Sequence, residues 1–290
     1  MKLLSFTHAG ASSWGAVARD GRIVDLARCA DPVIPTLREA IAQLGVDGIQ
    51  KRLDGVPASA RTLAFEDVSL LPVIPDPRKI ICIGLNYEAH RIEAKRAEVA
   101  NPTLFPRLAS SQTAHGRDIP LPPESTHLDF EGEIAVIIGR GGRRISEADS
   151  WQHIAGYAPY NDASIRDWQY HTTQWTAGKN FDGTGAFGPW LVTRGEIADG
   201  QLMELVTRLN GEEVQRGNTG QLIFSIPRLV NYISTVMTLE AGDVIVTGTP
   251  SGVGVKREPQ LFMRAGDRIE VEVSGVARLA NQVAAEPIAS

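Results

Sequence analysis

The sequence predicts a strand-rich, mixed α/β fold in two units, and three observations carry that expectation. Short apolar runs recur along the 290 residues, and many of the 28 glycines and 17 prolines fall just after them, as turns between strands require. Hairpin-forming dipeptides, Asp20-Gly21 and Asn210-Gly211, sit between such runs. A proline-rich segment, "LLPVIPDPRK", interrupts the pattern, because proline favours extended chain and resists both helix and central strand. It separates a small α+β N-terminal domain, residues 1–72, from a larger unit, residues 73–290.

Taken in order, "LLSFTHAG" and "WGAVARDGRIVDL" read as strands turning about Asp20-Gly21. "TLREAIAQLG" has apolar residues at helical spacing, with Gly45 placed to end the helix. "KIICIGLNY" is a buried strand running into a loop, and Cys82 is a small thiol within it. "NYEAHRIEAKRAEVA" has helix-forming composition but almost no apolar face, so packing anchors it weakly and it is a candidate lid. "RRISEADSWQHIAGYAPYND" predicts a short helix leading into a strand, and "GPWLVT" a further strand. "LVTRLNGEEVQ" predicts a hairpin and "IPRLVNYISTVM" an amphipathic helix. "EAGDVIVTGTPSG" and "RAGDRIEVEVSG" share Ala-Gly-Asp before an alternating strand, which predicts similar entry turns.

Composition bounds the partners. A hydrophobic fraction of 43% and a charged fraction of 22% are those of an ordinary globular protein. A net charge of -5 with no basic stripe argues against nucleic acid. The opening "MKLLSFTHAG" has too short an apolar run for a signal-peptide core, and no stretch approaches the ~20 apolar residues that span a bilayer. A cytoplasmic address and no membrane partner are expected. Cys29 and Cys82 fit no disulfide or metal framework.

The stretch "HLDFEGEIAVIIGR" carries two carboxylates inside an apolar strand. Alternation puts Glu131, Glu133, Ala135 and Ile137 on one face and Phe130, Ile134, Val136 and Ile138 on the other. A solvated strand end is the plain explanation of a Glu-x-Glu pair. Beyond Glu133, however, both faces are apolar, so the strand is expected to be covered on each side. Two like charges there repel and lose hydration unless a cation or a proton compensates. Asp162 in "GYAPYNDASIRDWQ", with Asn161 beside it, offers a third carboxylate at the end of another strand-like run. Oxygen-only ligands favour magnesium, manganese or calcium over zinc.

The ordered blocks "GLNYEAH", "DFEGEIAVIIG", "YNDASIRDWQ", "AGKNFDGTGAFGPWLV" and "LEAGDVIVTGTPSGVG" resemble the fumarylacetoacetate hydrolase family, over roughly residues 75 to 280. The resemblance implies a mixed, mostly β fold with a rolled sheet, a small N-terminal domain of the kind many longer members carry, and a homodimer. It implies Mg²⁺ or Mn²⁺ on Glu131, Glu133 and Asp162, with Ca²⁺ also admissible. It implies a catalytic His90–Glu93 pair, and a spacing of three puts both on one helical face. Without the resemblance, such a pair on a polar helix reads as solvated. Lys179 matches an active-site lysine, Gln169 a substrate-binding glutamine, and Thr249 a contact to the ligand's oxygens. Arg107 stands where many members have lysine and is expected to hold a substrate carboxylate. Asp129, Tyr87 and Arg166 are candidates for supporting these groups or for ordinary structural pairing.

The implied chemistry is metal-assisted cleavage of a C–C bond in an acylpyruvate or β-diketo acid, in catabolism of aromatic compounds. His90 would activate water, and Lys179 would stabilise the oxyanion. Isomerisation, tautomerisation or decarboxylation of a 2-oxo acid on the same site is the second reading. A non-catalytic oxo-acid binder is the third, and it has no need of the His–Glu–Lys set. Other signals are set aside. "GTGAFG" precedes Pro189 and a strand rather than a helix, so no helix N-terminus meets a pyrophosphate. "GTPSGVGVK" fails the P-loop spacing, and the serine of "TPSG" lacks a nucleophile-elbow context. His8, His115, His127, His153 and His171 form no His-x-x-x-His pair, although His127 and His171 lie near the site blocks.

Overall fold

The computed structural model describes residues 1–29, 32–57 and 62–287. Strand exceeds helix, 35% to 22%, so the fold is mixed α/β and mostly β. The larger sheet runs, neighbour to neighbour, through Thr62–Leu63, Ile23–Asp25, Ala11–Val17, Lys2–His8, Leu191–Thr193, Ile154–Asp162, Gly132–Ile138, Val244–Val246, Ile80–Gly84 and Thr103–Arg107. The smaller one orders Glu212–Asn218, Glu204–Leu209, Arg268–Val273, Ala277–Ala285 and Ile119–Leu121. Most pairings are antiparallel, but Val244–Val246 runs parallel to Ile80–Gly84, and Ala277–Ala285 parallel to Ile119–Leu121.

The acidic strand Gly132–Ile138 is central and buried at every position. Its side chains divide with the two-residue period. Ile134, Val136 and Ile138 join Leu205, Ile269 and Val271 in the core between the two sheets. Ala135 and Ile137 join Leu3, Trp14 and Ile41 in a second core on the opposite face. Both faces are therefore covered, as the apolar run predicts. The first strands extend the larger sheet by pairing Leu3 with Leu191, and their core is shared with Cys82 and Val246.

The turn signals hold where backbone demands were local. Asn210 and Gly211 take φ of 53° and 86° between paired Leu209 and Glu212, the mirror-image turn that suits strand twist. The two Ala-Gly-Asp entries form the same turn: Glu240 N–H donates to Asp243 Oδ2 at 2.7 Å, and Arg264 N–H to Asp267 Oδ2 at 2.6 Å. The helix Ile226–Val236 is capped by Ser225 and buries Leu229, Val230 and Ile233.

Two helix expectations need correction. Gly45, at φ 63° and ψ 176°, interrupts the first helix but does not end it. Helical chain resumes and runs to Asp54, because buried Ile49 gives the second part an apolar anchor. Conversely, the long polar helix after Tyr87 shrinks to Glu88–Glu93, where His90 alone is buried. With no apolar face beyond it, the chain leaves the helix at Lys95, φ 53°. Among the described residues, no helix is long and apolar enough to cross a membrane.

Candidate functional site

The site begins with strand register. Gly132 pairs with Asn161 across Gly132–Ile138 and Ile154–Asp162, so Asp162 falls beside Glu131. Asp162 N–H donates to Glu131 O at 2.8 Å, and Glu131 N–H to Asn161 Oδ1 at 3.0 Å. One carboxylate oxygen each from Glu131, Glu133 and Asp162 then lies within 4.8 Å of the others. Gly132 between the glutamates must lack a side chain, since a Cβ would stand 2.0 Å from Thr207 Oγ1.

The three carboxylates are compensated unequally. Lys179 Nζ lies 2.7 Å from Glu131 Oε2 and 2.6 Å from Asp162 Oδ2. Arg166 reaches Glu131 Oε1 at 2.7 Å, and Arg107 reaches Asp162 Oδ1 at 2.5 Å. Burial would raise the Glu131 carboxyl, but Lys179 and Arg166 outweigh it and hold it at about 2. Burial would likewise depress Lys179, but Asp162 and Glu131 raise it instead. Glu133 receives one hydrogen bond, from Gly248 N–H at 2.6 Å, and makes no ion pair with a described residue. Burial, then the nearby charges of Asp162 and Glu131, push its carboxyl well above the usual range. A buried carboxyl whose charged form is disfavoured until a further cation compensates it, in an oxygen-only donor set, fits a hard divalent ion.

The His90–Glu93 pair is formed. His90 Nδ1 lies 3.0 Å from Glu93 Oε2, and Glu93 Oε1 accepts from Gly252 N–H at 2.9 Å. His90 is 7% exposed and faces a cavity of about 290 Å³ that Glu131, Glu133, Gln169, Lys179 and Thr249 also line. Gln169 Oε1 accepts from Arg166 Nη1 at 2.9 Å. Thr249 Oγ1 donates to Gly132 O at 2.9 Å.

Arg107 departs from expectation. Its side chain is fully buried and lies off the cavity wall. Its guanidinium is committed to Asp162 Oδ1, Ala163 O at 3.1 Å, Thr184 Oγ1 at 2.7 Å and Ser111 Oγ at 3.2 Å. Its remaining Nη2 hydrogen faces Ser111 O at 3.5 Å, so the guanidinium braces Asp162 from behind and turns no donor into the cavity. His127 and His171 do not line the cavity either; they pack against Phe262 and Trp168.

Supporting residues emerge from distant segments. Asp129 accepts from Gly254 N–H at 2.8 Å, Val255 N–H at 2.9 Å and Arg166 Nε at 2.7 Å, tying a rim loop to the arginine that touches Glu131. Gln215 was missed. Its Nε2 donates to Thr249 Oγ1 at 2.8 Å, and its Oε1 accepts from Gly132 N–H at 3.0 Å. The available signal was a glutamine at an inward position of the alternating strand "EEVQRGN". The "GTGAFG" stretch forms strand Gly185–Phe187, followed by strand Leu191–Thr193.

Comparison with known proteins agrees with this geometry. Residues 79–284 match the family model described as fumarylacetoacetate (FAA) hydrolase C-terminal. The chain is 36% identical to "Oxaloacetate tautomerase fahd2, mitochondrial" of Xenopus laevis, over 98% of this chain and 90% of that protein. It is 42% identical to "Oxaloacetate tautomerase YisK" of Bacillus subtilis (strain 168), over 76% of this chain and 74% of that one. The fumarylacetoacetate hydrolase structure from Exiguobacterium antarcticum matches with a TM-score of 0.86 and 33% identity, over 99% of this chain and 100% of that one. Maleylpyruvate hydrolase from Sphingobium sp. SYK-6, solved with manganese(II) and pyruvate, matches with a TM-score of 0.81 and 26% identity over the same shares. A relative that binds manganese is consistent with a divalent ion at the three-carboxylate cluster. The chain belongs to the fumarylacetoacetate hydrolase family.

Proposed function

We propose that this chain is a divalent-metal-dependent tautomerase of small 2-oxo acids, with oxaloacetate the substrate to test first. The observation that carries this is a proton-transfer pair and an acidic cluster facing one small cavity. At about 290 Å³ it lies at the low end of ligand pockets, which run roughly 300–1,000 Å³. That space accommodates a four-carbon acid. The tautomerase names of the Xenopus and Bacillus relatives support the same reading, and favour it over C–C hydrolysis, which the motifs alone put first. Hydrolysis is the second reading, supported by the maleylpyruvate hydrolase neighbour.

A Mg²⁺ or Mn²⁺ ion held by Glu131, Glu133 and Asp162 would supply Lewis-acid polarisation of a chelating 2-oxo acid. The chain's own groups move the protons. His90 Nδ1 is engaged with Glu93, so Nε2 is the nitrogen left to take a proton from carbon 3. Glu93, held by Gly252 N–H, orients the ring and stabilises the imidazolium that forms. The Lys179 ammonium, kept protonated by its two carboxylates, donates toward the oxygen on carbon 2. The proton that His90 takes from carbon 3 is the one it returns, as imidazolium, to the oxygen on carbon 2, so Lys179 stays protonated, His90 is reset and the substrate keeps its composition. Our proposal includes a homodimer in the cytoplasm, readable by light scattering and by cell fractionation.

The test follows keto–enol exchange of oxaloacetate with Mg²⁺ or Mn²⁺, while mass spectrometry watches for pyruvate. Accelerated exchange without carbon loss is expected. Cleavage of acylpyruvates, or release of carbon dioxide, without accelerated exchange overturns the reading.

A further inference from the structure

Three cations stand at the mouth of the site cavity. Lys95 and Arg96 follow the end of helix Glu88–Glu93, and Lys256 belongs to the separate turn Gly254–Lys256. All three line the cavity and are exposed. No described residue pairs with any of these side chains, whereas neighbouring Arg91 is bound to Glu88 at 2.9 Å through Nε. The acids on the cavity wall, Glu131 and Glu133, are both buried and belong to the metal end. The mouth is therefore cationic in a chain whose net charge is -5.

The backbone at Lys95 adds an independent observation. Lys95 takes φ 53°, with its N–H on Ile92 O at 2.9 Å, and Arg96 N–H returns to Arg91 O at 3.1 Å. This is the helix-ending arrangement in which glycine ordinarily occupies the left-handed position. A lysine there costs conformational energy, and its side chain lines the cavity.

We propose that Lys95, Arg96 and Lys256 receive a second carboxylate at the far end of the substrate, so that the site selects 2-oxo dicarboxylates over 2-oxo monocarboxylates. The inference rests on the 2-oxo-acid reading of the site and specifies it. At the deep end, the first carboxylate and the keto oxygen are common to every 2-oxo acid and distinguish nothing. Discrimination must come from the opposite end, where a planar guanidinium and two ammonium groups offer charge-assisted hydrogen bonds to carboxylate oxygens. Because these groups are exposed, their contribution weakens with ionic strength.

The test is calorimetry on the Mn²⁺-loaded full chain with two unreactive probes, oxamate and N-oxalylglycine, which differ by the distal carboxymethyl group. The wild type is expected to bind N-oxalylglycine about 10- to 100-fold more tightly than oxamate. The triple variant Lys95→Gln, Arg96→Gln, Lys256→Gln should bind both equally, with oxamate affinity unchanged. Lys95→Gly alone should raise Tm and still reduce the preference, which a purely structural lysine would not do. A preference that survives the triple variant, or a wild type without preference, overturns the inference. Oxaloacetate exchange is scored separately. Lost preference in the variant without wild-type exchange sinks the tautomerase reading and leaves the carboxylate receiver standing.

Discussion

Replacing Glu133 by Gln separates a metal ligand from a structural carboxyl. In the metal-free protein the Glu133 carboxyl is buried and pushed well above the usual carboxylate range by burial and then by Asp162 and Glu131, which favours its neutral form. Gln mimics that neutral form, so Tm without metal should change by no more than about 1 °C. Saturating metal at about 100 times Kd stabilises the wild type by about 2.7 kcal/mol. Unfolding entropy of about 2.1 cal/mol/K per residue puts that near 4 °C for a chain of this length. Loss of one ligand should weaken binding at least about 100-fold, leaving roughly 0.4 kcal/mol, a shift under about 1 °C. The sign with pH follows from the raised value. The folded state keeps a proton that the unfolded state releases above about 4.3, so this contribution is full below that pH and declines as pH rises through the folded value. Metal-free Glu133→Gln should therefore have a flatter stability–pH curve above pH 5. Metal binding to the wild type must expel that proton, and titration calorimetry in two buffers of different ionisation enthalpy measures it. Melting with EDTA and with Mn²⁺ completes the assay. A variant that loses several degrees without metal yet keeps the full metal shift refutes the reasoning.

Three further outcomes are expected. His90→Ala should lower tautomerisation by about 10²- to 10⁴-fold and leave the Mn²⁺-induced Tm shift intact; loss of that shift would place His90 in metal binding instead. Arg107→Ala removes one of the two cations paired with buried Asp162, leaving Lys179, and should cost about 1–3 kcal/mol in urea denaturation, whereas a substrate contact would change KM and spare stability. Gly132→Ala forces a Cβ against Thr207 and should cost about 1–3 kcal/mol while weakening Mn²⁺ binding. Normal metal affinity in that variant would show that the two glutamates tolerate displacement.

Features with local causes were legible. The two faces of Gly132–Ile138 follow from alternation alone, and the Asn210-Gly211 hairpin from two residues that accept positive φ. His90 and Glu93 meet because three residues is nearly one helical turn. The short life of the helix that carries them was less legible. Composition favoured a longer one, and the absence of an apolar face beyond His90 decided its length.

By itself, the sequence determined which groups would be costly to bury. Two carboxylates one residue apart in an apolar strand demand compensation wherever the chain places them. Tertiary structure alone decided who supplies it. Lys179 and Arg107 are both cations near family motifs, yet one lines the cavity between Glu131 and Asp162 while the other is sealed behind Asp162. Gln215 reaches Gly132 and Thr249 from the other sheet, across a separation that no periodicity encodes. Strand register and the packing of one sheet on another set these meetings. Both are sums over many weak contacts distant in sequence, so no single stretch of the chain contains them.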